Sequence, residues 1–170
     1  MRTLRIALLA TVATAAISSA SLAADLILDP PVSEPIIDNS FSWDGAYIGG
    51  LLSVQDVPGT FGAGVVVGAN ATADAFLFGG EIEASLLSNG TWSAQVDGRA
   101  GVLVSDSLAI YGFLGIGQHS TNGTYVPLGV GAEVALADNL SFKAEYQFNN
   151  DLTSSAQDAN VFKAGLNWHF

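Results

Sequence analysis

Cysteine is missing from all 170 residues. That excludes a disulfide framework, a thiolate zinc site and a cysteine nucleophile. Bases are nearly as scarce, with five Lys and Arg against sixteen Asp and Glu. Arg2 and Arg5 lie at the very start, so only Arg99, Lys143 and Lys163 remain beyond residue 23. All sixteen acids lie beyond it too, and three bases less sixteen acids leave a formal charge of −13. Nucleic acid and anionic lipid are recognised through Lys and Arg, so neither is expected as a partner. No run of 18 consecutive apolar residues occurs, which argues against a membrane-spanning helix. Charged residues of either sign make up only 12% of the chain, too few for the surface of a soluble domain of this size.

What is present is apolar and glycine-rich: 49% hydrophobic residues, a mean hydropathy of +0.40 and 19 glycines. A chain whose outer surface faces lipid has no need of surface charge, because hydrocarbon accepts apolar side chains without penalty. The amino terminus carries Arg2 and Arg5, an apolar stretch from Ile6 to about Ile17, and then small residues through Ser21 and Ala23. That order predicts a secretory signal peptide over residues 1–23. Residues 24–43 follow as an acidic linker with Asp25, Asp29, Glu34 and Asp38 among Pro30, Pro31 and Pro35. Proline removes ladder donors and like charges repel, so an extended periplasmic spacer is expected there.

From residue 44 onward the pattern has a period of two. The last segment, Asn160–Phe170, sets Phe162, Ala164, Leu166, Trp168 and Phe170 against Val161, Lys163, Gly165, Asn167 and His169. Seven further segments precede it: Asp44–Val54, Thr60–Asn70, Ala75–Leu86, Thr91–Val104, Leu108–Gln118, Thr124–Leu136 and Leu140–Asn149. In the third, Phe76, Phe78, Ile82, Ala84 and Leu86 oppose Gly79, Glu81, Glu83 and Ser85. The fourth and seventh repeat this alternation, while the phase of the first and fifth stays open. Eight segments of this length match the strands of the smallest transmembrane barrels.

The connections alternate in length. Ala71–Asp74, Ser105–Ser107 and Ala137–Asn139 are short; Gln55–Gly59, Leu87–Gly90, His119–Gly123 and Asn150–Asp158 are longer and are expected outside the cell. A soluble eight-stranded barrel of lipocalin type would share the alternation with its faces reversed. The polar faces here are rich in Gly, Ser and Gln with scattered charges, which suits a narrow packed lumen. The aromatics Trp43, Tyr47, Trp92, Tyr111, Tyr125, Trp168 and Phe170 fall near segment ends, where interfacial girdles are expected.

The run Trp43-Asp44-Gly45-Ala46-Tyr47-Ile48-Gly49-Gly50, with the Ala24-Asp25-Leu26-Ile27 start and the Asn167-Trp168-His169-Phe170 end, resembles the small porin-family outer-membrane proteins of Gram-negative bacteria. Their barrels are OmpA-like. The resemblance implies an all-β, eight-stranded antiparallel transmembrane barrel over residues 44–170, located in the cell outer membrane. It also implies a role in envelope integrity or surface antigenicity, outer-membrane lipids as surroundings, and delivery to the barrel-assembly machinery through the last strand, with Phe170 as its signal. The short outer loops depart from what adhesion or ligand binding would need.

Candidate chemistry is confined to a few places. Glu81, Glu83, Asp97, Arg99, Glu133, Lys143, Glu145 and Lys163 all fall on lumen-phase positions. A salt-bridge network that closes the lumen is the structural reading, and a catalytic or ion-conducting cluster the alternative. Arg99 is expected opposite Glu81 or one diagonal away across the Leu87–Gly90 hairpin. His119, Ser120 and Glu133 supply the residue types of an outer-membrane lipid A hydrolase. The plainer expectation leaves His119 in a solvated loop and His169 near the periplasmic rim. Asn-x-Ser/Thr patterns at Asn70, Asn89, Asn122 and Asn139 reflect turn composition. No cofactor or metal motif is present. The reading is therefore a monomeric, non-catalytic structural barrel, with a small pore or the hydrolase as alternatives.

Overall fold

A computed structural model describes residues 41–56, 59–121, 123–152 and 158–170. The expected signal peptide, and all but the last three residues of the expected linker, lie outside the described residues. Eight strands run β1 (Gly45–Gln55), β2 (Thr60–Ala73), β3 (Phe76–Leu87), β4 (Trp92–Ser105), β5 (Leu108–His119), β6 (Gly123–Ala137), β7 (Leu140–Asp151) and β8 (Ala159–His169). Each pairs antiparallel with its sequence neighbour, and β8 returns to β1 to close the barrel. Closure leaves no edge strand, so every ladder group can pair without water.

One end of the barrel carries the two-residue turns Asp74-Ala75, Asp106-Ser107 and Asp138-Asn139. Asp74 sits at φ 53°, a left-handed conformation that Asp tolerates better than most side chains. β2 continues through Ala73, so its turn is shorter than the expected Ala71–Asp74. Register shifts follow Leu103 in β4 and Ala135 in β6, both next to this end. The longer connections lie at the other end, and by the usual rule for such barrels they are extracellular.

The faces are reversed relative to a water-soluble protein. Phe61 is 65% exposed and Leu86 72% exposed on the outside, while Lys143 and Glu133 are fully buried within. Water-soluble barrels cannot carry that distribution, which removes the lipocalin alternative; lipid requires it. Trp92 at the loop end and Trp168 at the turn end both face outward at the girdle positions expected of them.

Four other aromatics depart from the expected girdle. Tyr47, Tyr111 and Tyr125 point into the lumen and are almost fully buried. Tyr125 shares the odd parity of Glu133 on the same strand, so alternation alone turns it inward. Tyr47 and Tyr111 belong to the two segments of open phase, and the barrel resolves both with odd residues inside. Trp43 packs with Leu77 and Ala109 in an apolar cluster that Phe41 and Leu103 complete. Its indole donates to the carbonyl of Asp106 at 3.0 Å. Residues 41 and 43 therefore belong to the inner packing of the turn end, short of the expected barrel start at residue 44.

Candidate functional site: the charged lumen

All three bases beyond residue 23 meet inside the barrel. Arg99, on β4, is the hub. Its Nη2 lies 2.7 Å from Glu133 Oε2 on β6, and its Nη1 lies 3.3 Å from Glu81 Oε2 on β3. Nη1 also donates to the hydroxyl of Tyr47 at 3.1 Å, and that hydroxyl donates to Glu81 at 2.7 Å. The guanidinium lies over two rings, 4.1 Å from the centroid of Tyr111 and 5.5 Å from that of Tyr47. Rings offer a buried cation its electron-rich faces, so the tyrosines supply part of the solvation that water would otherwise give.

Lys143 reaches Glu81 Oε1 at 2.5 Å and Glu145 Oε1 at 3.5 Å, and Tyr111 donates to that same Glu145 oxygen at 2.7 Å. Lys163 pairs with Glu83 at 2.5 Å, and Ser85 donates to the other Glu83 oxygen. Glu133 Oε1 accepts from Ser141 at 2.5 Å and from Asn167 at 2.8 Å, with His169 Nε2 at 3.4 Å. Most of these pairs cross between strands that are not neighbours, as β3 with β7 and β3 with β8. Only a closed barrel of this width can bring them within reach. A buried ion is tolerated when it is paired and its remaining hydrogen-bonding capacity is met.

The eight residues singled out in sequence are thus all lumenal, and seven of them join ion pairs. Asp97 does not. Its Oδ2 accepts from Gln95 at 2.6 Å, and no base approaches it within ion-pair range among the described residues. The register sets Glu81 directly opposite Asp97 and Arg99 opposite Gly79. Arg99 and Glu81 are therefore one diagonal apart, within the expected geometry.

Nearer the loop end a cluster of amides lies beside the Lys163–Glu83 pair. Gln95 and Gln147 bond to each other at 3.1–3.2 Å, Tyr125 donates to Gln95 at 3.0 Å, and Gln147 donates to Asn149 at 2.6 Å. None of these amides was singled out as a site residue in the sequence, nor were Ser141 and Asn167, although strand parity puts them on the inner face. Tyr47 and Tyr111, expected in the girdle, lie on segments whose phase parity left open.

The candidate hydrolase triad is not assembled. His119 is the last residue of β5 and is buried, with its ring stacked on Tyr125 at 4.5 Å, where a solvated loop position was expected. Glu133 faces Ala109, ten residues back along the same strand, or about 33 Å at ~3.3 Å per residue. Ser120 Oγ accepts from the backbone of Trp92. A second Ser–His–Glu group, Ser141, His169 and Glu133, does meet near the turn end. There a single His169 nitrogen, Nε2, faces both Ser141 and Glu133, and the ring is covered by Phe41 and Trp43. A relay from acid through both ring nitrogens to the hydroxyl needs the opposite arrangement.

No protein-family model and no curated protein sequence matches the chain. Solved structures do match its architecture. The outer membrane enzyme PagL superposes with a TM-score of 0.61 at 9% identity, over 73% of this chain and 99% of that one. A de novo designed transmembrane β-barrel gives 0.58 at 18% identity, over 74% and 94%. The N-terminal β-barrel domain of Pseudomonas aeruginosa OprF gives 0.55 at 13%, over 74% and 96%. In fold, the chain is an eight-stranded outer-membrane β-barrel.

In this outer-membrane barrel the lumen is filled by its own side chains. Two small interior cavities lined by described residues measure about 20 and 10 Å³, the scale of individual waters. The apolar cluster around Trp43 covers the turn end, and the Arg99 hub spans the section above it. The exterior is the apolar belt that such a barrel presents to membrane lipid.

Proposed function

We propose that the protein is a structural component of the outer membrane: a monomeric, non-conducting and non-catalytic barrel that contributes to envelope integrity and displays short loops at the surface. The single observation that carries this reading is the Arg99 hub. A guanidinium held between Tyr47 and Tyr111 and shared by Glu81 and Glu133 occupies the lumen cross-section with groups that cannot separate cheaply. The Trp43 cluster adds a second obstruction at the turn end. Porins with aqueous channels use about 16–18 strands, twice the number here. The short loops leave little surface for adhesion. Assembly through the last strand and its terminal Phe170, 79% exposed on the lipid side, belongs to the same reading.

Planar-bilayer recording tests it. Purified protein is expected to insert without producing steady current, and reproducible nanosiemens steps would replace the reading with the small-pore alternative. Incubation with lipid A should leave its acyl chains intact, and release of fatty acid would restore the hydrolase alternative.

A further inference from the structure

Of the six buried side-chain polar atoms without a hydrogen-bond partner among the described residues, two are complementary and line one cavity. Arg99 Nε is a donor without an acceptor, and Asp97 Oδ1 is an acceptor without a donor. Both residues are more than nine-tenths buried, and both line the same interior cavity of about 10 Å³, together with Glu81, Tyr111, Phe113 and Glu145. An unmet polar atom in the interior is unfavourable, and a cavity needs roughly 10–15 Å³ of this kind of volume to take one water. The cavity is at that size. It is too small for any organic ligand.

We propose that this cavity is a built site for one ordered water, which accepts from Arg99 Nε and donates to Asp97 Oδ1. The site accounts for the lone lumenal carboxylate without an ion pair, because the water hands Asp97 the influence of Arg99. It also gives every guanidinium nitrogen an acceptor: Nη1 serves Tyr47 and Glu81, Nη2 serves Glu133, and Nε serves the water. A direct Arg99–Asp97 bond is not made, because the hub turns the guanidinium onto Tyr111 and across the lumen to β6. A monovalent cation in the same place has no lone pair to accept from Arg99 Nε, whereas a water serves both the donor and the acceptor.

The water has a further consequence. Without it two hydrogen-bonded systems stand apart, beside a third made by Lys163, Glu83 and Ser85. One is ionic and runs from His169 through Glu133, Arg99 and Glu81 to Lys143. The other runs from the Asp97 carboxylate through the amides of Gln95 and Gln147 to Asn149. The bridging water joins them into one connected column, from the covered turn end to the loop end. Networks of this kind resist piecemeal opening because each member orients the next.

Diffraction from crystals of the detergent-purified protein, at a resolution that shows ordered solvent, tests the proposal. The expected result is one density peak within hydrogen-bonding distance of both Arg99 Nε and Asp97 Oδ1. It should persist in Asp97→Asn, which keeps an oxygen, and vanish in Asp97→Leu, which removes the acceptor. Soaking with rubidium chloride should give no anomalous signal at the peak. A rubidium signal there would overturn the proposal in favour of a cation site. An ordered lumen with no peak, or Asp97 bonded directly to Arg99, would overturn it outright. Should Asp97→Leu fail to fold, the wild-type, Asp97→Asn and rubidium data still decide between these outcomes.

Discussion

The ring of Tyr47 on β1 occupies the space that a side chain on Gly68, its direct cross-strand partner on β2, would need. A Cβ built on Gly68 would overlap the end of that ring. The same relationship recurs inside the barrel as Tyr111 over Gly131, Phe113 over Gly129 and Tyr125 over Gly117, each a directly opposed pair. A narrow lumen cannot hold two large residues face to face, so each flat ring is matched to a bare stretch of backbone. On the lipid side, Gly80, Gly98 and Gly112 have open surroundings, with no atom nearer than 3.7 Å to the added Cβ.

That contrast separates two groups of glycines. Gly68→Ala and Gly131→Ala should destabilise the barrel by about 1–3 kcal/mol, because the ring above must leave its place. Gly98→Ala and Gly112→Ala should be neutral or mildly stabilising, since alanine loses less backbone freedom on folding. Urea unfolding in lipid vesicles measures both. Equal losses in the two groups would show that the rings do not determine the inner positions.

Arg99→Ala removes the base from two carboxylates at once. Glu81 would keep Lys143 and Tyr47, whereas Glu133 would be left with His169, Ser141 and Asn167. Breaking a buried pair typically costs ~3–5 kcal/mol. Glu81→Gln in the Arg99→Ala background should recover part of the loss, with a coupling energy of ~0.5–3 kcal/mol. Simple addition of the two single losses would mean that these side chains do not interact.

Trp43→Ala should weaken the barrel by on the order of 3 kcal/mol through lost packing against Leu77 and Ala109. Current across a planar bilayer should nonetheless stay at baseline, because the Arg99 hub lies deeper in the same lumen. Steady conduction by this variant would show that the apolar cluster, rather than the ion pairs, is what seals the barrel.

The closing seam between β1 and β8 is fastened at the loop end by Asp56, whose two carboxylate oxygens accept from the backbone and the side-chain amide of Asn160 at 2.8 and 2.6 Å. Asp56→Ala should cost about 1 kcal/mol, since the bonds are exposed to solvent. Its readout is the temperature at which the fast-migrating folded band converts to the slow one on a gel. An unchanged conversion temperature would remove Asp56 from the seam.

Much of this molecule was legible without coordinates. Alternation with a period of two sets strand number and, wherever a charged residue marks one face, which residues share it. Parity grouped Glu81, Glu83, Asp97, Arg99, Glu133, Lys143, Glu145 and Lys163 on the polar faces, and the Gly-, Ser- and Gln-rich composition of those faces assigned them inward. Parity failed where neither face is polar. On β5, Leu108, Ile110, Leu114 and Ile116 compete with Ala109, Tyr111 and Phe113, and both sets are apolar. The choice rests on β6, whose Gly129 and Gly131 make room for Phe113 and Tyr111 within, while branched side chains pack well in lipid. Arg99 with Glu81, joined by one hairpin, was legible as a pair, but the other partners among the charges were out of reach. Sequence neighbours share a strand or a hairpin, whereas Arg99 with Glu133, Lys143 with Glu81 and Lys163 with Glu83 meet across the lumen. Local chemistry determined which residues turn inward; closure, by fixing curvature and register for all eight strands together, decided which of them touch.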